Sequence, residues 1–194
     1  MFIVITPEKE VPNEVDLLCK MAEFPVVLHI RKPTFDKNKM QRWLQQFNEN
    51  QHRKMMLHQH HELIEHFDLK GIHLKEIHRK EADNLDKIKH YKAIRKTLSA
   101  SFHSQEEAES QSLYDYVLLS PVFNSISKSN YEGKSFQLHQ PLVPVIALGG
   151  ITKETMLLTP KMGFSGVAVL GSLWNSSQAF DAFKELFAHY KKWY

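Results

Sequence analysis

Eight short apolar runs punctuate the chain, at residues 2–5, 26–30, 54–58, 71–74, 96–101, 116–119, 143–147 and 166–170. Between them lie longer segments of helical period, at 13–22, 37–50, 60–67, 85–90, 104–112, 153–159 and 176–190. Parallel strands need a crossover connection, and a helix makes that crossing with its own backbone hydrogen bonds satisfied. Eight such units predict a (β/α)8 TIM barrel, an α/β fold. The alternative is an open doubly wound sheet. The glycine-rich turn Leu148-Gly149-Gly150 follows the seventh run and not the first, so the dinucleotide fingerprint of that fold has no place here. At 194 residues the chain sits at the lower end of barrel sizes, which calls for short loops. No linker composition divides it, and residues 1–194 are expected to form one domain.

The 25 basic and 22 acidic side chains are interspersed, with a net charge of +3 and no long basic run. Nucleic-acid binders concentrate their positive charge, so no nucleic acid is expected as a partner. No apolar run approaches ~18 residues, and no membrane span is expected. The first residues read as a strand and not as a signal peptide, and the single Cys19 fits a reducing compartment. A cytoplasmic protein is the expectation. Tyr190, Trp193 and Tyr194 at the C-terminal end are placed either to cap the barrel or to join a second subunit, which leaves an oligomer open.

Loops that follow barrel strands build the active site, so residues at strand ends carry the functional reading. Gly149 and Gly150 after the seventh run, with Leu170 and Gly171 after the eighth, can aim several backbone N–H groups at one phosphate. The same glycines would also serve plain tight turns. Ser125, Ser127 and Lys128 lie in the aperiodic segment 124–141 and suit an anionic oxygen, as an ordinary serine-rich surface loop also would. Arg31 ends the second run and offers a planar fork to a phosphate or carboxylate. Histidines are dense from His58 through His60, His61, His66 and His73 to His78, but without a standard ligand spacing, so no metal is expected there.

Several of these stretches resemble one known family in the order of its motifs. They are Leu28-His29-Ile30-Arg31, Gly71-Ile72-His73-Leu74, Ser101-Phe102-His103-Ser104, Asp115-Tyr116-Val117, Pro121-Val122-Phe123, Ser125-Ile126-Ser127-Lys128, Val145 through Ile151, and Gly166-Val167-Ala168-Val169. Together they are similar to the thiamin phosphate synthase family, which also contains the TenI-type thiazole tautomerases. The resemblance implies a barrel that binds thiazole phosphate and, in the synthases, joins it to hydroxymethylpyrimidine diphosphate with loss of pyrophosphate. It implies substrate and phosphate contacts at Arg31, His58, Ser101, Ser125, Ser127, Lys128, Gly149, Gly150, Leu170 and Gly171.

Departures from the family pattern shape the functional expectation. The Asn-Asp-Arg of the synthases falls on His58, Gln59 and His60, their second metal-binding Asp on His78, and a Lys on Pro33. Magnesium favours hard oxygen ligands and is expected to lose its site, leaving no cofactor. The histidine of the tautomerases falls on Pro121. His29 is the first candidate to replace it, His58 the second, with Lys128 as a further catalytic group. The expected activity is tautomerase-like or that of a weak synthase, acting on a small phosphate ester. A non-catalytic binder of thiamin-related phosphate esters is the alternative.

Overall fold

The structure is a computed structural model that describes residues 1–81, 83–124 and 133–194. Eight parallel strands close into a barrel in sequence order, each hydrogen-bonded to the next and β8 to β1. They are β1 (Phe2–Ile5), β2 (Val27–Ile30), β3 (Met55–Leu57), β4 (Gly71–Leu74), β5 (Thr97–Phe102), β6 (Tyr116–Leu119), β7 (Val145–Leu148) and β8 (Gly166–Val169). Each falls on one of the eight apolar runs. The barrel, not the open sheet, is the fold.

Most of the expected helices are shorter than the periodicity suggests, the one expected over 85–90 is longer, and two further short helices occur at 76–79 and 171–174. The helices comprise α1 (Glu14–Met21), α2 (Lys37–Leu44), α3 (Glu49–His52), α4 (Glu76–Arg79), α5 (Asn84–Ala93), α6 (Gln105–Glu109), α7 (Lys153–Met156), α8 (Gly171–Trp174) and α9 (Ala179–Tyr190). The helical stretch expected over 37–50 is two helices, because Asn48 and Gln51 form a reciprocal capping box that starts α3 afresh. The stretch expected over 60–67 is a single 3₁₀ segment, His61–Glu65.

Strands buried on both faces sort their side chains by alternation. Phe2, Val4, Leu28, Ile30, Leu57, Ile72, Leu74, Leu98 and Val117 join the core between sheet and helices. That shell is completed by α9, whose Phe183, Phe187 and Tyr190 rings meet Phe2 at centroid distances of 5.2–6.1 Å. The other parity faces the barrel axis, where Ile3, Ile5, Val27, Met56, Tyr116, Leu118, Ile146 and Ala168 form a smaller cluster. The interior is not uniformly apolar. His29, His58, His73 and Ser99, from four consecutive strands or their ends, are buried as well. The axis thus has a polar side at β2–β5 and an apolar side at β1 and β6–β8.

The aperiodic segment after β6 is partly anchored. Phe136 and Leu138 are buried, and the Lys134 N–H donates to the Pro121 carbonyl at 3.0 Å.

Candidate active site

A cavity of about 670 Å³ opens at the C-terminal ends of the strands. Its apolar wall is made by Ile5, Leu118, Leu148, Ala168 and Leu170, which continue the apolar side of the axis. Opposite stand His58, Ser101 and His103, with Arg31, Lys75, Glu8 and Glu76 at the rim. Gly149 and Gly150 after β7, and Gly171 and Ser172 after β8, complete the lining. A flat apolar ring with an anionic tail matches this division of surfaces.

The β7 turn takes its shape from Gly149 and Gly150, at φ 98° and 65°, a left-handed region that glycine enters at little cost. Thr152 then accepts hydrogen bonds from the N–H groups of Glu154 and Thr155 and starts α7. The Ser172 hydroxyl is buried with no hydrogen-bond partner among the described residues.

Beneath the cavity the imidazoles form one connected array. His29 Nδ1 lies 2.9 Å from His58 Nε2, and His29 Nε2 lies 2.6 Å from the Tyr116 hydroxyl. His73 places its two nitrogens at 2.9 Å from Ser99 Oγ and 2.7 Å from Ser101 Oγ. The His58 and His73 rings stack with centroids 4.2 Å apart. Burial disfavours the charged imidazolium, and holds His29 down to about 3 and His58 and His73 well below the usual histidine value. For His58 the neighbouring imidazoles add to the effect, and for His73 so does His29. All three are neutral at pH 7. Burial likewise raises the Tyr116 phenol, which stays protonated.

Arg31 is engaged at the rim by Glu8, Nη1 to Oε1 at 2.5 Å. Lys75 stands beside it, its ammonium disfavoured by burial first and by the Arg31 charge second. Arg79 stacks on Phe102 at 3.8 Å and donates from Nε to the Ser101 carbonyl at 3.0 Å, which fixes the end of β5.

Of the residues singled out from sequence, Arg31, His58, Ser101, Gly149, Gly150, Leu170 and Gly171 are brought together around this one cavity. His29 is fully buried and sits behind His58, so it reaches the cavity only through its neighbour. Ser125, Ser127 and Lys128 lie outside the described residues. Gln59 turns away and donates through Nε2 to the Lys32 carbonyl. His78 packs edge-on against His61, with centroids 5.7 Å apart. Sequence reasoning missed Lys75, Ser172 and the pairing of His29 with Tyr116. Alternation within β4, β5 and β6 could have pointed to the inward set of His73, Ser99, Ser101 and Tyr116.

The chain matches the sequence profile of thiamine monophosphate synthase over residues 2–173. It is 32% identical to a thiamine-phosphate synthase of Lysinibacillus sphaericus, over 57% of each chain, and 28% identical to one of Anoxybacillus flavithermus, over 47% of this chain and 46% of that one. These alignments span about half the length of the curated relatives. The solved thiamine phosphate pyrophosphorylase of Bacteroides thetaiotaomicron superposes with a TM-score of 0.72 at 26% identity, covering 97% of this chain and 96% of that one. That of Pyrococcus furiosus gives 0.73 at 20% identity, over 98% and 95%, a likeness of fold. With a profile match across nearly the whole barrel and its strand-end motifs gathered round one cavity, the chain belongs to the thiamine monophosphate synthase family.

Proposed function

We propose that the protein binds a thiazole phosphate of thiamin assembly and shifts a proton on its ring, as a thiazole tautomerase does. The phosphate sits on the turns at Gly149–Gly150 and Gly171–Ser172, and the ring lies between the apolar wall and His58. The observation that carries this reading is the hydrogen-bonded chain Tyr116–His29–His58, which ends at the cavity. Such a chain has two equivalent proton arrangements. Either Tyr116 donates to His29 and His29 to His58, or His58 donates to His29 and His29 to Tyr116. In the second arrangement His58 carries its proton on Nε2, towards His29, and its Nδ1 is free, so Nδ1 can take a proton from one ring atom of the ligand and return that same proton to another. His29 acts here as a positioning residue behind His58.

Condensation with a diphosphate is the less suitable chemistry for these residues. Magnesium prefers charged oxygen ligands, whereas Gln59 is a neutral amide bonded to a backbone carbonyl and His78 is an imidazole held below its usual pKa by burial. These two donors do not suit the ion, and the carboxylates at the rim are engaged by cations, Glu8 by Arg31 and Glu76 by Lys80.

Proton exchange at the thiazole ring, followed by NMR in D₂O with EDTA present, is expected in the wild type. His58→Asn should lower kcat by about 10²–10⁴, the usual contribution of a general base, with little change in KM. Rapid condensation that requires magnesium and survives His58→Asn would replace this reading with a synthase. Tight binding of the ester without exchange would leave a binder.

A further inference from the structure

The geometry points to a second capacity of the same interior: His29, His58 and His73 form a three-histidine site for a divalent transition metal of the zinc class. Each offers one ring nitrogen, and the three atoms lie within 4.8 Å of one another. A zinc ion holds its nitrogen ligands at ~2.0–2.1 Å, which in a tetrahedral arrangement sets the nitrogens roughly 3.4 Å apart. The closest pair, at 2.9 Å, must open slightly and the widest, within 4.8 Å, must close by up to about 1.4 Å. The three side chains come from adjacent strands, or the residue just past one, whose register is fixed by the barrel ladder.

A hydrogen-bonded histidine cluster is common without metal, so the groups around it decide. Ligating histidines hold their outer nitrogen on a hydrogen-bond partner, which fixes the ring and its tautomer. His29 does so on Tyr116; His73 holds a serine hydroxyl at each nitrogen, so one of these bonds gives way to the metal and the other stays at the outer nitrogen. The donors are all neutral nitrogens, a set that selects zinc, cobalt or nickel over magnesium or calcium. Three protein ligands leave a fourth position for water or another small ligand. Metal takes the His58 lone pair that faces His29, so the loaded site and the proton chain are alternative states of one cluster. The site stands on its own geometry and does not depend on the tautomerase reading.

The test uses whole protein stripped with EDTA, then titrated with Co²⁺ and Zn²⁺ in the absence of any phosphate ester. One equivalent of Co²⁺ should bind with the intense visible absorption of four-coordinate cobalt, and Zn²⁺ should displace it and raise Tm. His58→Asn and His73→Asn should each weaken binding by about 100-fold or more, and Tyr116→Phe, which keeps all three ligands, by roughly 10–100-fold. Replacing the exposed His66 and His139 together should change nothing. If a cluster variant fails to fold, histidine ¹⁵N spectra of the wild type decide, since only three of its twelve imidazoles should shift with zinc. Binding that survives loss of both His58 and His73, a spectrum in which other histidines move, or no binding at millimolar zinc would each overturn the site. Because no thiazole is present, failure here leaves the isomerisation assay in EDTA to stand or fall separately.

Discussion

In metal-free buffer the protein is expected to lose stability steeply as pH falls below about 6.5, the value of an unperturbed histidine. His29, His58 and His73 are neutral when folded, their pKa values all lowered by burial. Once unfolded they titrate normally, so below about pH 6.5 the unfolded chain binds more protons than the native one and stability falls with pH. Their contribution is complete above that pH. It is lost progressively on acidification until the folded values are reached, which for His29 is about 3. Each imidazole costs up to roughly 1.4 kcal/mol per pH unit, about 4 kcal/mol per unit for the three. Domains of this kind hold only about 5–15 kcal/mol in all, so two pH units can unfold the barrel. Urea melts at a series of pH values measure the slope directly, and His73→Asn should remove one imidazole's share of it, a quarter or less because burial also lowers His61, to about 4, and His78. A flat profile from pH 7 to 4.5 would mean that the imidazoles are already protonated or hydrated in the native state.

Gly150→Val is expected to remove phosphate-ester binding and to destabilise the fold. A Cβ at this position would lie 2.4 Å from the Asn124 carbonyl oxygen and 2.6 Å from Phe123 Cβ, with the backbone at φ +65°. Left-handed strain in a β-branched residue costs about 1–3 kcal/mol, and overpacking a similar amount. For a chain of this length each kcal/mol lowers Tm by roughly 2–4 °C, so a fall of about 4–24 °C is expected. The turn, which lines the cavity, must also shift, and affinity should drop at least tenfold, about 1.4 kcal/mol. Gly163→Ala separates the two effects. Gly163 lies at φ +86° with its added Cβ 2.6 Å from the Leu138 carbonyl, away from the cavity lining, so this variant should lose stability and keep affinity. Calorimetry with a thiazole phosphate reads both. A folded Gly150→Val protein with unchanged affinity would place the phosphate elsewhere.

The strands were legible in the sequence because each is short, apolar and followed by a polar segment, and their order carried the family's motifs. Helix ends were less so. The restart of a helix at Asn48 depends on a capping box that periodicity does not register. The strand-end residues Arg31, Ser101, Gly149, Gly150 and Gly171 were legible for a different reason, since a barrel brings every strand end to one rim. The interior was not. Val26-Val27-Leu28-His29-Ile30 is apolar on both sides of the alternation, as befits a strand buried on both faces, so the sequence does not tell which parity points to the axis. Along the chain His58 stands beside His60 and His61, and nothing in its spacing sets it apart from them as the inward one. Only closure of the sheet turns His29, His58 and His73 inward together, excludes water from them and leaves His58 as their one contact with the cavity, because strand register and burial are properties of the assembled barrel.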